Sequence, residues 1–175
     1  MNLAARCASI RLILTDVDGV LTDGGVIVDD QGVHALRFNI RDGLGVRLWQ
    51  RAGGRVGIVT GRITDVVARR AADLDIDPLR QGIADKLPVV KEICQELGLA
   101  AEQGAYLGDD LPDVLPIRFA GLGIAVADAA AEAIAAADYV TSVPGGRGAL
   151  RETVELILRN TDRWETTIAR FTDSA

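Results

Sequence analysis

Three scarcities narrow what this chain of 175 residues can be. Cysteine is scarce: Cys7 and Cys94 have neither metal-ligand spacing nor the pattern of a disulfide framework. Cys94 falls in the helical apolar series Leu87, Val90, Ile93, Cys94, Leu97 and reads as a small buried hydrophobe. A reduced, cytoplasmic protein is expected. Long apolar runs are missing, so no segment reads as a membrane span. Met1 to Ile10 carries one arginine and no apolar centre, which does not make a secretory signal. Positive charge is in deficit, with 19 Lys and Arg against 25 Asp and Glu and a net charge of −6. That balance argues against nucleic acid or an anionic membrane as partner. A local basic pocket is still open, because Arg37, Arg41, Arg47, Arg62, Arg69, Arg70 and Lys86 gather in the first half. Internal repeats and linkers are also absent, and the length suits one domain, residues 1–175, around one core.

The most informative segment present is Leu12-Ile-Leu-Thr-Asp-Val-Asp-Gly-Val-Leu-Thr-Asp23. A β-favouring run delivers Asp16 and Asp18 together, followed by glycine. Two carboxylates at a strand end repel and must stay hydrated or paired, a poor structural choice. The same arrangement suits a hard cation held beside a reactive carboxylate. An acidic Asp-Gly turn is the plainer reading of this segment alone.

Strand and helix patterns alternate along the chain. Strands are expected over 11–15, 55–60, 79–81, 104–107, 122–126 and 139–141. Helices are expected over 42–52, 64–74, 85–97 (capped by Asp85, with Pro88 in the first turn), 128–137 and 149–159, with a turn and short helix over 111–120. Val26 to Val28 and Val33 to Phe38, around Asp29 to Gly32, read as a β-hairpin. The last fifteen residues read as a loose polar tail. Such β/α alternation predicts a Rossmann-like, doubly wound α/β fold with a parallel sheet, plus a hairpin flap at about residues 25–39.

Ligands of such sheets sit outside the C-terminal strand ends, where the chemistry-bearing fragments fall here. Asp16 and Asp18 follow the first strand, Thr60-Gly61-Arg62 the next core strand, and Gly108-Asp109-Asp110-Leu-Pro-Asp113 another, with Lys86 at a helix start. Together they make phosphoryl-transfer machinery. Asp16 and Asp109 can supply carboxylates to Mg²⁺, which blunts the repulsion between a carboxylate nucleophile and a phosphate. Asp18 can protonate the leaving oxygen, and Thr60 and Lys86 can hold the transferring phosphoryl group. Singly, Thr60 is a strand-end hydroxyl, Lys86 a solvated cation, and Asp109-Asp110 a turn; their order and placement carry the case.

Asp16-Val-Asp18-Gly-Val, Thr60-Gly-Arg62, Lys86 and Gly108-Asp-Asp-x-x-Asp113 resemble the four motifs of the haloacid dehalogenase superfamily. Phe38-Asn-Ile-Arg-Asp-Gly-Leu-Gly45, Ile58-Val-Thr-Gly-Arg62, Tyr106-Leu-Gly-Asp-Asp110 and Gly145-Gly-Arg-Gly148 make the chain similar to the 3-deoxy-D-manno-octulosonate 8-phosphate phosphatase family, from about residue 10 to 158. The resemblance implies a capless, Mg²⁺-dependent phosphatase of a sugar acid phosphate, with Asp16 as nucleophile forming an aspartyl phosphate. Asp18 is then the general acid and base with its backbone carbonyl on Mg²⁺, and Asp109 the third metal ligand. It implies substrate contacts from Asp18, Asn39, Ile40, Arg41, Asp42, Gly43, Arg47, Arg62, Arg70 and Lys86. Arg62 stands where phosphatases of nine-carbon sugar acid 9-phosphates tend to be acidic, which favours the eight-carbon sugar. Pro112 departs from relatives that carry a polar residue there. The resemblance also implies a homotetramer in which hairpins pair and the 145–148 segment reaches a neighbour's site. A phospho-receiver domain, or a catalytically silent binding domain of the same fold, are the alternatives.

Overall fold

The computed structural model describes residues 2–31 and 34–172. In chain order the elements are α1 (Leu3–Ser9), β1 (Leu12–Thr15), β2 (Ile27–Val28), β3 (His34–Ala35), α2 (Ile40–Arg51), β4 (Arg55–Val59), α3 (Asp65–Asp73), β5 (Leu79–Arg80), α4 (Lys86–Glu96), β6 (Gly104–Gly108), α5 (Val114–Phe119), β7 (Leu122–Ala125), α6 (Ala131–Ala136), β8 (Tyr139–Val140), α7 (Ala149–Arg159) and α8 (Trp164–Thr172). Short 3₁₀ turns occupy Ala101–Gln103 and Leu111–Asp113.

The main sheet has the order β5-β4-β1-β6-β7-β8, every pairing parallel. All of β1 is buried, as a central strand covered on both faces must be. One apolar cluster lies under α1, α2, α3, α7 and α8, with Trp49, Val67, Val154 and Ile157 in it. A second lies under α4, α5 and α6, with Val90, Ile93, Ile117 and Ala133. The fold is therefore doubly wound, as the alternation predicts. The chain steps from β1 outward to β4 and β5, then returns to the other side for β6, β7 and β8. The order reverses at β1, so the ligand crevice of this topology opens at the C-terminal end of β1. Among the described residues no helix is long and apolar enough to cross a membrane.

Several boundaries differ from the sequence expectations, each for a local reason. Helix α2 begins at Ile40 rather than Asp42, because the Asn39 side chain accepts from the Arg41 amide at 2.9 Å. Asp85 occupies the N-cap position of α4 but makes no side-chain cap bond. Helix α6 starts at Ala131 rather than Asp128, whose carboxylate instead accepts the Gly145 amide at 2.9 Å. The hairpin is shorter than expected: Ile27 pairs with Ala35 and Val28 with His34. Gly32 and Val33 of that expectation lie outside the described residues, and Leu36 and Phe38 pack on the core instead of extending the strand. The loose-tail expectation for residues 160–175 is overturned as far as Thr172. Helix α8 docks through Trp164, 8% exposed, whose ring lies under the guanidinium carbons of Arg151 (5.3 Å) and Arg159 (4.5 Å). The N-terminal lead, for which the sequence predicts no element, holds α1, which buries Cys7.

Candidate active site

Strand β1 ends by placing Asp16 at the crevice floor, 9% exposed, with its Oδ1 accepting the Val17 amide at 2.7 Å. Its Oδ2 lies 2.8 Å from Lys86 Nζ. Lys86 opens α4 and is 3% exposed, so its ammonium must find charge rather than water. It finds a second carboxylate, Asp113 Oδ1, at 2.7 Å. Asp113 is fully buried and saturated: Tyr106 Oη donates to Oδ1 at 2.7 Å, and the amides of Asp109 and Asp110 reach Oδ2 at 3.1 and 3.4 Å. Asp113 thereby fixes both Lys86 and the turn that carries Asp109.

Asp16, Asp109 and Asp113 bring carboxylate oxygens within 4.8 Å of one another, with one ammonium against three acids. Burial, then repulsion from Asp113 and Asp16, push the Asp109 carboxyl up to about 8. Burial also raises Asp16 against the pull of Lys86. Burial disfavours the Lys86 ammonium, but Asp16 and Asp113 outweigh it and keep the group charged. Burial and the neighbouring Asp113 hold Tyr106 protonated, so it acts as a donor. This donor set fits a hard divalent cation: oxygen ligands, partly desolvated, with excess negative charge that a cation relieves.

Asp18 turns away from this group and accepts from Arg62 Nη1 at 3.0 Å. Asp16, Asp18, Thr60, Arg62, Lys86, Asp109 and Pro112 line one cleft of about 310 Å³. Gly19 packs against Asp109; with φ +84°, a Cβ there would overlap the Asp109 carboxylate.

The remaining expected substrate residues do not reach this cleft within one chain. Asn39 caps α2 and donates from Nδ2 to the Gly146 carbonyl at 3.1 Å. Ile40 faces solvent, and Arg41 lines a separate groove beside Arg147. Asp42 is buried against the start of α7, where its Oδ1 accepts the Arg151 amide at 2.9 Å. Gly43 packs under the Arg70 guanidinium, which lies 5.7 Å from the Phe38 ring. Arg47 pairs with Asp75 and donates to the Asp73 carbonyl at 2.7 Å, at the C-terminal end of α3. The physical reason is prior partners: backbone at and before the α7 start takes the Asn39 and Asp42 side chains, and the C-terminal end of α3 takes Arg47. Tyr106 is the site residue that sequence reasoning missed. Its signal is a hydroxyl-bearing aromatic in an otherwise apolar core strand, which must find a buried partner.

Comparison with known proteins adds to this geometry. Residues 79–148 match the model of the haloacid dehalogenase-like hydrolases. The chain is 43% identical over 157 residues to 3-deoxy-D-manno-octulosonate 8-phosphate phosphatase KdsC of Escherichia coli (strain K12), covering 90% of this chain and 84% of that protein. The chain belongs to the 3-deoxy-D-manno-octulosonate 8-phosphate phosphatase family. Within that family, the Moraxella catarrhalis phosphatase, solved with a magnesium ion, a phosphate ion and a KDO molecule, superposes with a TM-score of 0.95 at 38% identity, covering 97% of this chain and 98% of that one. The cobalt-bound Haemophilus influenzae phosphatase superposes with a TM-score of 0.88 at 36% identity, covering 97% and 96%. Family membership confirms the haloacid dehalogenase-like fold expected from the motifs.

Proposed function

We propose that the protein is a Mg²⁺-dependent phosphatase that converts 3-deoxy-D-manno-octulosonate 8-phosphate to the free sugar acid and inorganic phosphate. The observation that carries this reading is the Asp16–Lys86–Asp113 triad beside Asp109, at the switch point of the sheet, in a member of that phosphatase family. The carboxylates of Asp16 and Asp109 and the backbone carbonyl of Asp18 would hold Mg²⁺. When bound, the cation neutralises phosphate oxygens and the acidic cluster.

The Asp16 carboxylate attacks phosphorus in line with the sugar oxygen. The bond from phosphorus to that oxygen breaks, and Asp18 supplies its proton. Asp18 then takes a proton from water, which attacks the aspartyl phosphate and frees Asp16 and inorganic phosphate. Lys86 and Thr60 hold equatorial phosphoryl oxygens, the lysine as a fixed charge that needs no reorganisation. Asp113 and Tyr106 keep that lysine in place.

Arg62 links chemistry to recognition. Its fork matches a carboxylate, so the acid group of the sugar competes with Asp18 for it. Drawing Arg62 to substrate frees Asp18 to carry a proton. We further infer a cytoplasmic homotetramer of single-domain subunits spanning residues 1–175. The two free, buried cysteines suit a reduced compartment. Val26, Ile27 and Val28 of the hairpin are 52%, 61% and 56% exposed, an apolar edge suited to pairing between subunits.

The test is phosphate release from the eight-carbon sugar acid 8-phosphate, a nine-carbon sugar acid 9-phosphate and a neutral sugar phosphate, with Mg²⁺ or with a chelator. Fastest turnover of the eight-carbon substrate, lost with the chelator, is expected. Preference for the nine-carbon substrate would overturn the substrate assignment. No turnover of any phosphomonoester would favour a silent binding domain.

A further inference from the structure

Asp42 is 4% exposed and sits on α2, remote from the Asp16 cleft. Its Oδ1 accepts the Arg151 amide at 2.9 Å, and its Oδ2 has no hydrogen-bond partner. A buried carboxylate with one orphaned oxygen is costly unless it secures something else. What it secures is the start of α7. The N-cap residue of that helix is Gly148, which has φ +105° and no side chain to close the first turn. Asp42 supplies the missing cap from another helix.

The segment immediately before α7 lies against the catalytic loop. The Gly146 amide donates to the Val20 carbonyl at 2.9 Å. A Cβ at Gly145 would collide with the Gly19 carbonyl, and one at Gly146 with the backbone of Thr22 and Asp23. The segment has two further anchors. Asn39, three residues before Asp42, holds the Gly146 carbonyl at 3.1 Å. Asp128 holds the Gly145 amide at 2.9 Å. Gly19 in turn packs on the Asp109 carboxylate. Contact is thus continuous from Asp42, through the α7 start and the 145–146 backbone, to the loop that follows Asp16 and Asp18.

We propose that Asp42 is a positioning residue for catalysis: by capping α7 it clamps Gly145–Gly146 against Gly19–Asp23 and sets the geometry of Asp16 and Asp18 to Asp109. It differs from a substrate contact in its consequences. Loosening the clamp misplaces the reacting groups for every phosphomonoester, whereas losing a sugar contact weakens one substrate. Misplacement near 1 Å costs up to about a hundredfold in rate.

The inference rests on the phosphatase reading for its kinetic arm, and a second arm does not. The variants are Asp42→Ala, Asp42→Asn and Asp128→Ala, assayed as the full chain with Mg²⁺ well below their melting temperatures. For the sugar acid phosphate and p-nitrophenyl phosphate alike, Asp42→Ala should lower kcat about ten- to hundredfold with little change in KM. Asp42→Asn, which keeps the acceptor for the Arg151 amide, should recover most of the loss. Asp128→Ala releases the same segment without touching the α7 cap. It should reproduce the kcat pattern, and it carries the test if Asp42→Ala does not fold. The second arm is amide hydrogen exchange at Val20, Leu21 and Thr22, whose N–H groups bond to the Val17 carbonyl. Exchange there should quicken in both alanine variants and return to the wild-type rate in Asp42→Asn. A loss confined to KM for the sugar acid, or unchanged kcat together with unchanged exchange in Asp128→Ala, would overturn the proposal. Wild-type protein that turns over no phosphomonoester would sink the phosphatase reading, while the exchange result would still decide the clamp.

Discussion

The floor of the cleft and the hairpin flap are built on opposite principles. Asp16, Thr60, Lys86 and Asp113 are each no more than 9% exposed; Asp16 and Thr60 directly follow β1 and β4, Lys86 opens α4, and Asp113 closes the 3₁₀ turn after β6. Each polar group of Asp113 and Lys86 is spoken for by a neighbour within 3.4 Å. The hairpin has two residues per strand, packs no Ile27 or Val28 side chain into the core, and leaves its edge to solvent. Chemistry that needs fixed distances has been placed where the backbone cannot give; the part left exposed is the part suited to meeting another surface. If this contrast is right, substitutions on the floor should abolish rate or stability, and substitutions on the flap should alter association alone.

The largest effect is expected at the floor. Asp16→Asn removes the proposed nucleophile while keeping the shape of the side chain, and turnover should fall by more than about a thousandfold. Rapid-quench measurement of phosphate release, with circular dichroism to confirm the fold, checks it. A variant retaining more than about a thousandth of wild-type turnover would rule out covalent catalysis by Asp16.

Lys86→Met should be next, and its cost is to the fold. The substitution keeps the bulk but leaves Asp16 and Asp113 buried without their cation, a loss of about 3–5 kcal/mol when one partner of a buried pair is removed. Urea unfolding with and without Mg²⁺ separates charge from packing. The deficit should shrink when the metal replaces the lost positive charge, and a deficit indifferent to Mg²⁺ would point to packing instead.

These floor residues were the part most legible from sequence. A strand that ends in Asp-x-Asp needs no three-dimensional knowledge to be placed at the sheet's C-terminal edge, and the same holds for Asp109 after β6. Legibility failed where a side chain was claimed by a distant backbone group. Asn39 and Asp42 match family substrate positions, yet Asn39 donates to the Gly146 carbonyl and Asp42 caps α7, relations 107 and 109 residues apart in the chain. Asp128 looked like a helix start and is bound to the Gly145 amide. Helix α8 was hidden differently: Trp164, Ile168 and Phe171 have helical spacing, but the polar residues between them masked it. Tyr106 could have been suspected, while its partner Asp113 required the 3₁₀ turn to bring it back under β6.

Acidity on the floor gives a pH signature. Asp109 binds its proton more tightly in the folded, metal-free protein than when unfolded, with its carboxyl pushed up to about 8. A raised carboxyl favours the fold at low pH, and that contribution is lost as pH rises from the ordinary carboxylate range through about 8. With Asp109 as a proposed ligand, Mg²⁺ has to displace this proton, so its affinity should climb about tenfold per pH unit below that value and level off above it. The stabilisation conferred by Mg²⁺ should widen over the same window. Calorimetric titration of Mg²⁺ at several pH values checks both slope and plateau, and an affinity flat between pH 6 and 8 would exclude a protonated Asp109 in the free site.

The smallest effect on folding belongs to the flap, and it is the sharpest test of the contrast. Ile27 is 61% exposed in the single chain, so Ile27→Thr should change unfolding free energy by less than about 0.5 kcal/mol in a monomer. Threonine keeps β-branching, so the pairing of Ile27 with Ala35 survives. If hairpins pair between subunits, the same side chain is buried there, and its loss recurs once per subunit. Association should then weaken strongly while the isolated fold is unchanged. Multi-angle light scattering across a micromolar dilution series reads this directly: the wild type should hold a tetramer where Ile27→Thr yields smaller species. A wild type that is monomeric throughout and fully active would break the link between flap and assembly. The hairpin would then be a flap over its own cleft, and Ile27→Thr should instead raise KM without changing mass.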